Sequence, residues 1–305
     1  MLKKILNEAQ FNLEIRTTGP LLIRSGQASI SGPDMTPVRT FRNNEWQVYI
    51  PGSSLKGVIR SHSEKIARTL RNDVCCDPFA KVNEPGTFCG EKFKNKKFST
   101  EEVYSRSCAI CRLFGSTEFI GRVSIGDAYL SGPPAKREFR DGVGIDRLTG
   151  GPKDKAKFEL EAVSPGASFQ ADVLLRNFEC WQLGLLLTVV QDFADGLVRL
   201  GGGRSRGFGG VTASVPNLVL HQFGAPSNHG ANEIWGMGRY LNDKSYGTDP
   251  KDLLTLPTEL TWQRRGIRSS ASVAHDGVHA VREAGLSAFV QRIESWPAEQ
   301  GAKTR

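Results

Sequence analysis

The run Gly201-Gly202-Gly203-Arg204-Ser205-Arg206-Gly207-Phe208-Gly209-Gly210 constrains this chain more than any other stretch. Six glycines in ten residues remove the side chains that keep one backbone away from another, and they permit the positive φ that other residues resist. Arg204 and Arg206 set two guanidinium donors among them, suited to phosphate. The run lies between an apolar helix-like segment, Cys180 to Leu200, and a strand-like segment, Gly207 to Leu220. It is therefore a connection on a packed scaffold, placed to lie against a phosphate backbone. It lacks the GxxxxGK[ST] pattern of a nucleotide P-loop.

The periodicity around this loop predicts the fold. Phe11 to Arg24 alternates in places and reads as strand with a turn at Thr18-Gly19-Pro20. Trp46 to Ile50 is a short strand. Pro51-Gly52-Ser53-Ser54 starts a helix, with a serine available as N-cap. Leu55, Val58, Ile59, His62, Ile66 and Leu70 form its apolar face, and it ends near Arg71-Asn72. Arg122 to Leu130 is the next strand. Phe158 to Val163 is one strand of a hairpin within a charged projection, and Ser168 to Arg176 follows. Trp181, Leu185, Val189, Phe193 and Leu197 recur every four residues in a second helix that Gly201 stops. The order strand, helix, strand, strand, helix, strand predicts an α+β, ferredoxin-like or RRM-like palm, βαββαβ. It occupies residues 1–220, with insertions at 72–119 and 133–166. Residues 221–305 read as an accessory extension with a weak helix near Ser287-Ala288-Phe289-Val290.

The 305 residues are 39% hydrophobic and carry a net charge of +8. A core is available, and a polyanion is the natural partner of such a balance. The N-terminus turns polar at Asn7-Glu8, and the longest apolar stretch, Leu183 to Val190, contains Gly184 and Thr188. A soluble, cytoplasmic protein without a membrane partner is expected.

Five of the six cysteines fall between residues 75 and 111. In a cytoplasmic chain this clustering favours metal over disulfides. Cys108-Ala109-Ile110-Cys111 can present two thiolates to one tetrahedral zinc. Cys89 and one of the adjacent pair Cys75-Cys76 complete a four-cysteine structural site, with Cys76 the expected ligand. His62 is the alternative, although it sits on an apolar helix face. Free buried thiols are the competing account.

Asp34, in Ser31-Gly32-Pro33-Asp34-Met35-Thr36-Pro37, reads locally as a turn former. A lone carboxylate can also help hold hydrated Mg²⁺ or Mn²⁺ against a phosphate. Arg39-Thr40-Phe41-Arg42 and the helix start from Ser53 through Lys56 to Arg60 suit phosphate binding. The projection carries Lys136, Arg137, Arg140, Arg147, Lys153, Lys155 and Lys157 among acidic residues. Its apolar residues Val143, Ile145 and Leu148 could wedge between bases. No Ser-His-Asp or Cys-His arrangement is suggested.

Taken in order, four segments resemble the RAMP superfamily of CRISPR proteins, and more closely the backbone subunit of type III effector complexes. They are Pro51-Gly52-Ser53-Ser54-Leu55-Lys56-Gly57 through Arg60, Cys108-Ala109-Ile110-Cys111-Arg112-Leu113-Phe114-Gly115, Gly121-Arg122-Val123-Ser124-Ile125-Gly126-Asp127-Ala128, and the glycine-rich loop. The resemblance implies a palm, a zinc-bearing insertion at 72–119 and a projecting thumb hairpin at 133–166. It implies copies of the chain or similar subunits stacked head to tail on a CRISPR RNA. A complementary target RNA, a large polymerase-like subunit, a small subunit and a guide-end-capping subunit are the further partners. A divalent metal at Asp34 would then cut the target as an endoribonuclease. The implied RNA contacts are Arg24, Arg39, Ser53, Ser54, Lys56, Arg60, Arg140, Arg147, Gly203, Arg204, Ser205, Arg206 and Phe208. The metal ligands are Cys76, Cys89, Cys108 and Cys111. Two other readings stay open: a non-catalytic RNA-binding subunit, and a metal-independent nuclease that processes CRISPR RNA precursors.

Overall fold

Alternation organises the first strand, Asn7–Thr17. Phe11, Leu13 and Ile15 are buried, while Gln10, Asn12, Glu14 and Arg16 are exposed. One face is therefore apolar and the other polar. The computed structural model describes residues 3–26, 32–80, 87–95, 97–225, 229–243 and 245–297. In it, this strand lies inside a ten-stranded antiparallel sheet. Ser168–Arg176 pairs on one side, and Val211–Ser214 and Asn217–Phe223 on the other. Val123–Ile125 and Ala128–Leu130 lie beyond Ser168–Arg176. The helices Gly52–Leu70 and Cys180–Ala194 complete a βαββαβ path, with the first strand between the third and the last. The chain is α+β with an antiparallel sheet, in the arrangement of ferredoxin-like folds.

Both sheet edges are extended. Arg39–Arg42 and Glu45–Ile50 add to Ala128–Leu130. At the other edge, Arg268–Ala274 and Gln263–Arg265 add to Asn217–Phe223, a strand that runs through position 220. A twenty-residue helix, His275–Glu294, follows where the sequence pattern suggests only a short one. It crosses Cys180–Ala194 closely at Gly184 and Gly285, where a Cβ on Gly184 would lie 2.0 Å from the Gly285 carbonyl carbon. Trp181 meets Phe289 and Trp296 beside this crossing.

Element boundaries differ from the sequence pattern at several points: Arg122 to Leu130 is broken into Val123–Ile125 and Ala128–Leu130, and the hairpin strand begins at Pro152. The first helix has Pro51 at its N-cap, not a serine, and Asp127 accepts the Gly52 N–H at 2.8 Å. The second helix stops at Ala194, because Gly196 takes φ 74° and closes the turn through the Phe193 carbonyl. Leu197 therefore leaves the helix face and is 69% exposed. The final strand is broken into Val211–Ser214 and Asn217–Phe223.

The segment from 72 to 119 holds short helices at Cys89–Phe93, Thr100–Arg106 and Ala109–Phe114; its residues 81–86 and 96 lie outside the described residues, as do 27–31 of the loop before Asp34. Arg137–Ile145 and Pro152–Val163 form the hairpin expected within 133–166. Its Phe139, Val143, Ile145 and the tip residue Leu148 are exposed.

The helix crossing yields a stability prediction. Gly184→Ala forces two backbones apart and costs about 1–3 kcal/mol, read as a lower urea midpoint at constant m-value. An unchanged midpoint contradicts the crossing.

Candidate metal centre and nucleic-acid interface

The segment 72–119 sends Val74, Phe93, Val103, Ile110, Leu113 and Phe114 into the main core, and four sulfurs lie at its centre. The Sγ atoms of Cys76, Cys89, Cys108 and Cys111 all fall within 4.8 Å of one another. Cys76 Sγ is 3.6 Å from Cys111 Sγ and 3.6 Å from Cys108 Sγ. A disulfide needs about 2.05 Å, so these are not bonded pairs. Tetrahedral Zn–S bonds of about 2.3 Å place sulfurs about 3.8 Å apart, so the cluster can hold a metal such as zinc.

Its surroundings suit thiolates. The Cys108 N–H donates to Cys89 Sγ at 3.3 Å and the Cys111 N–H to Cys108 Sγ at 3.4 Å. Arg60 Nη2 donates to Cys111 Sγ at 3.3 Å. Hydrogen bonds from the Cys108 thiol, then those of Cys111 and Cys89, hold Cys76 below the usual thiol range. Cys75 points elsewhere, toward the Glu64 carbonyl at 3.9 Å, and burial raises its pKa. His62 is also outside the cluster: its Nε2 lies 2.6 Å from Asp192 Oδ2 and joins the two palm helices. Cys76 is thus the sulfur that geometry brings in.

The first helix places its candidate cations inward. Lys56 Nζ donates to the Val123 carbonyl at 3.2 Å, and burial with the nearby Arg60 guanidinium lowers its pKa. Arg60 reaches Glu64 and the Gly115 carbonyl as well as Cys111. Asp127 already sits at the helix N-terminus, where the exposed N–H groups favour an anion. Ser53 is exposed and Ser54 half-buried. Gly57, exposed on the same helix, has no protein atom within 4 Å of where a Cβ would be. Glycine weakens a helix interior by about 0.5–1 kcal/mol, and here no protein neighbour requires it.

The glycine-rich loop, the Asp34 loop and the hairpin meet at one junction. Leu22, Leu160, Ala162 and Phe208 form a small core there, flanked by Met35 and Phe158. Gly201, at φ 73°, lies against the Leu22 carbonyl, and Gly209, at φ 79°, against the Leu200 carbonyl. The Gly202 N–H donates to Leu22 and the Gly209 N–H to Pro20. The glycines thus permit close packing on residues 18–22, while Arg204, Ser205 and Arg206 form an exposed turn. Arg206 lies over the Phe158 ring at 5.3 Å, and Arg140 over the Phe208 ring at 5.5 Å. Phe208 itself is buried in this packing.

Asp34 is exposed, and its Oδ2 accepts the Glu159 N–H of the hairpin at 2.8 Å. Met35 continues this contact through bonds with residues 159 and 161. Glu161, buried at the hairpin base, binds both Arg39 and Arg137 at 2.6 Å. The junction therefore unites Asp34, Arg39, Arg140, Gly203 and the 204–206 turn. Arg24, exposed, pairs its backbone with Pro37 nearby. Arg147 is exposed at the far hairpin tip, and Lys56 and Arg60 belong to the sulfur cluster's side. Sequence reasoning missed Asp127, Glu161 and Gly57. For Asp127 the signal was a carboxylate in a Gly-Asp-Ala turn between strands.

These observations describe an α+β protein with a four-cysteine cluster and an arginine-bearing loop joined to a hairpin. The chain belongs to the RAMP superfamily, whose family model matches residues 14–212. The match takes in Asp34, the four cysteines, the hairpin and the glycine-rich loop, and ends before Asn217–Phe223. No curated protein matches the chain. Membership points to a CRISPR-associated, RNA-binding role with RNA and protein partners. Among the described residues, no helix is long and apolar enough to cross a membrane.

Metal analysis tests the cluster. The purified chain is expected to carry about one zinc per molecule. Cys89→Ser should remove most of it and lower the melting temperature, and His62→Ala should leave it in place. A folded chain without metal contradicts the site. Because ligation displaces thiol protons, acid should release the ion.

Proposed function

We propose that this protein is a backbone subunit of a type III CRISPR effector complex, holding guide RNA and cutting the complementary target beside Asp34. The observation that carries the reading is the junction. It sets an exposed carboxylate, fastened to the hairpin at Glu159, one residue from Phe158, over whose ring Arg206 of the glycine-rich turn lies. The hairpin would act as the thumb, its exposed Val143, Ile145 and Leu148 entering the guide–target duplex. Base pairing would supply the specificity while the protein reads backbone and shape.

The residues fit their roles unequally. Arg204, Ser205 and Arg206 are free to reach phosphates, whereas Phe208 shapes the loop from beneath. Ser53 and Gly57 would let a backbone lie along the first helix. Lys56 and Arg60 support that helix and the sulfur cluster, where zinc would fasten the insertion. One Asp34 oxygen is engaged by Glu159, but the exposed carboxylate keeps acceptor capacity for a hydrated Mg²⁺ or Mn²⁺, which needs only one or two protein carboxylates. Such an ion would activate water and stabilise charge on the scissile phosphate. The protein's part is to hold Asp34 rigidly against the hairpin.

A purely structural subunit would use Asp34 only as a fastener of the hairpin. Asp34→Asn separates the two, because the amide oxygen still accepts from Glu159 while the charge is lost. In the assembled complex, target cleavage should fall at least about 100-fold with guide binding unchanged. Wild-type cutting would leave Asp34 a fastener. A metal-independent processing nuclease would instead cut in chelator. The glycine supplies a second test. Gly57→Ala should raise stability by about 0.5–1 kcal/mol yet weaken guide binding, and unchanged binding would remove the first helix from the interface.

A further inference from the structure

The helix-free face of the sheet carries a feature that the junction does not use. At one end, side chains from five strands form a row. Arg265 stands opposite Arg268, Arg268 opposite Phe223, and Ser270 opposite His221. His221 in turn stands opposite Glu8, and Glu8 opposite Arg176. Directly opposed residues project to the same face. Their alternates Leu218, Leu220, Ala271 and Val273 are buried on the helix side, so the row faces outward.

Its charge is lopsided. Glu8 is buried and held by Arg176. Arg265 and Arg268 are exposed, and among the described residues no carboxylate comes within salt-bridge distance of either. On the strand next to Arg268 lie two rings. His221 and Phe223 alternate along one strand, both part-exposed, with centroids 6.4 Å apart and planes at 57°. Ser270 Oγ, 2.8 Å from His221 Nδ1, fixes the imidazole. Burial, then the adjacent Arg268, lowers the His221 pKa, with Glu8 acting in the opposite direction.

We propose that this end of the sheet is a second site for single-stranded RNA, with bases on His221 and Phe223 and phosphates on Arg265 and Arg268. Rings two residues apart on an open sheet face, with cations beside them, are the means by which sheets hold unpaired nucleotides. The carboxylate at the rim of this aromatic patch, Glu8, is buried and held by Arg176, so the exposed charge is cationic and fits a polyanion with planar bases better than a protein surface of mixed charge. Of the row, only Arg176 falls within the family match at residues 14–212, so the site belongs mainly to what this chain adds beyond the family region. The inference rests on the RNA-binding reading but not on Asp34 or the junction.

The test uses the full chain and a labelled twelve-nucleotide polyuridine, with affinity followed against salt. Arg265→Ala with Arg268→Ala should weaken binding and flatten the slope of log K against log salt by about 1.4, or about 0.7 per lost phosphate contact on a single strand. Phe223→Ala should cost between about five-fold and a hundred-fold at an unchanged slope, and Phe223→Trp should restore affinity. If Phe223→Ala impairs folding, the surface variants Arg265→Glu and Arg268→Glu carry the test alone. Wild-type affinity and slope in the arginine variants overturn the site, as does the loss of a protein partner with RNA binding intact. Arg204→Ala with Arg206→Ala is the reference. If that variant loses RNA and the row variants do not, this inference alone fails. If the chain binds no RNA at all, the reading beneath it fails too.

Discussion

One buried carboxylate joins the parts of this protein. Glu179, at the N-cap of Cys180–Ala194, accepts the Tyr104 hydroxyl at 2.8 Å. Arg112 and Arg292 approach its two oxygens at 3.6 and 3.8 Å. Arg112 is fully buried between the Tyr104 and Trp296 rings and donates to the Ser105 and Gly247 carbonyls. A charge in such a place is tolerated only when paired and hydrogen-bonded. The insertion supplies Tyr104 and Arg112, the palm supplies Glu179, and the C-terminal residues supply Arg292 and Trp296. Each holds the others' charges or rings in place. Asp252, half-buried, is pushed up to about 7 by desolvation and by Glu179 while it accepts the Cys180 and Gly238 N–H groups.

The functional geometry follows from this anchoring. Arg112 directly follows Cys111, so the ion pair fixes one side of the sulfur cluster while Arg60 fixes the other. The cluster in turn seats the first helix against the palm. Separately, the glycine-rich loop is sewn to residues 18–22, and the hairpin to the Asp34 loop. Two regions are thus fastened to the palm, one built on sulfur and buried charge, the other on backbone hydrogen bonds and a small apolar core.

Much of this was legible in the sequence where period and spacing decide. The strand at Phe11, the helix faces and the cysteine spacing all depend on local pattern, and the sheet and sulfur cluster agree with them. What depended on tertiary partners was not legible. The six glycines of the loop pointed to close approach of a ligand, but Gly201 and Gly209 approach the chain's own carbonyls. Gly57, in the first helix, has open space beside it, as Gly207 does in the loop. The serine expected to cap the first helix yields to Asp127, some seventy residues away. Arg39 and Arg60 pointed to phosphate, yet each is also engaged by a protein partner, Glu161 and the Cys111 sulfur. The sheet's growth through Arg268–Ala274 depends on pairing with Asn217–Phe223, which no local period announces.

The central claim is that the palm and its exposed arginine turn hold a guide RNA. Sequencing of the RNA that copurifies with the protein from its native host tests this most directly. The account predicts short RNAs of uniform length sharing a common end. Absence of RNA, or a random sample of cellular fragments, would contradict it.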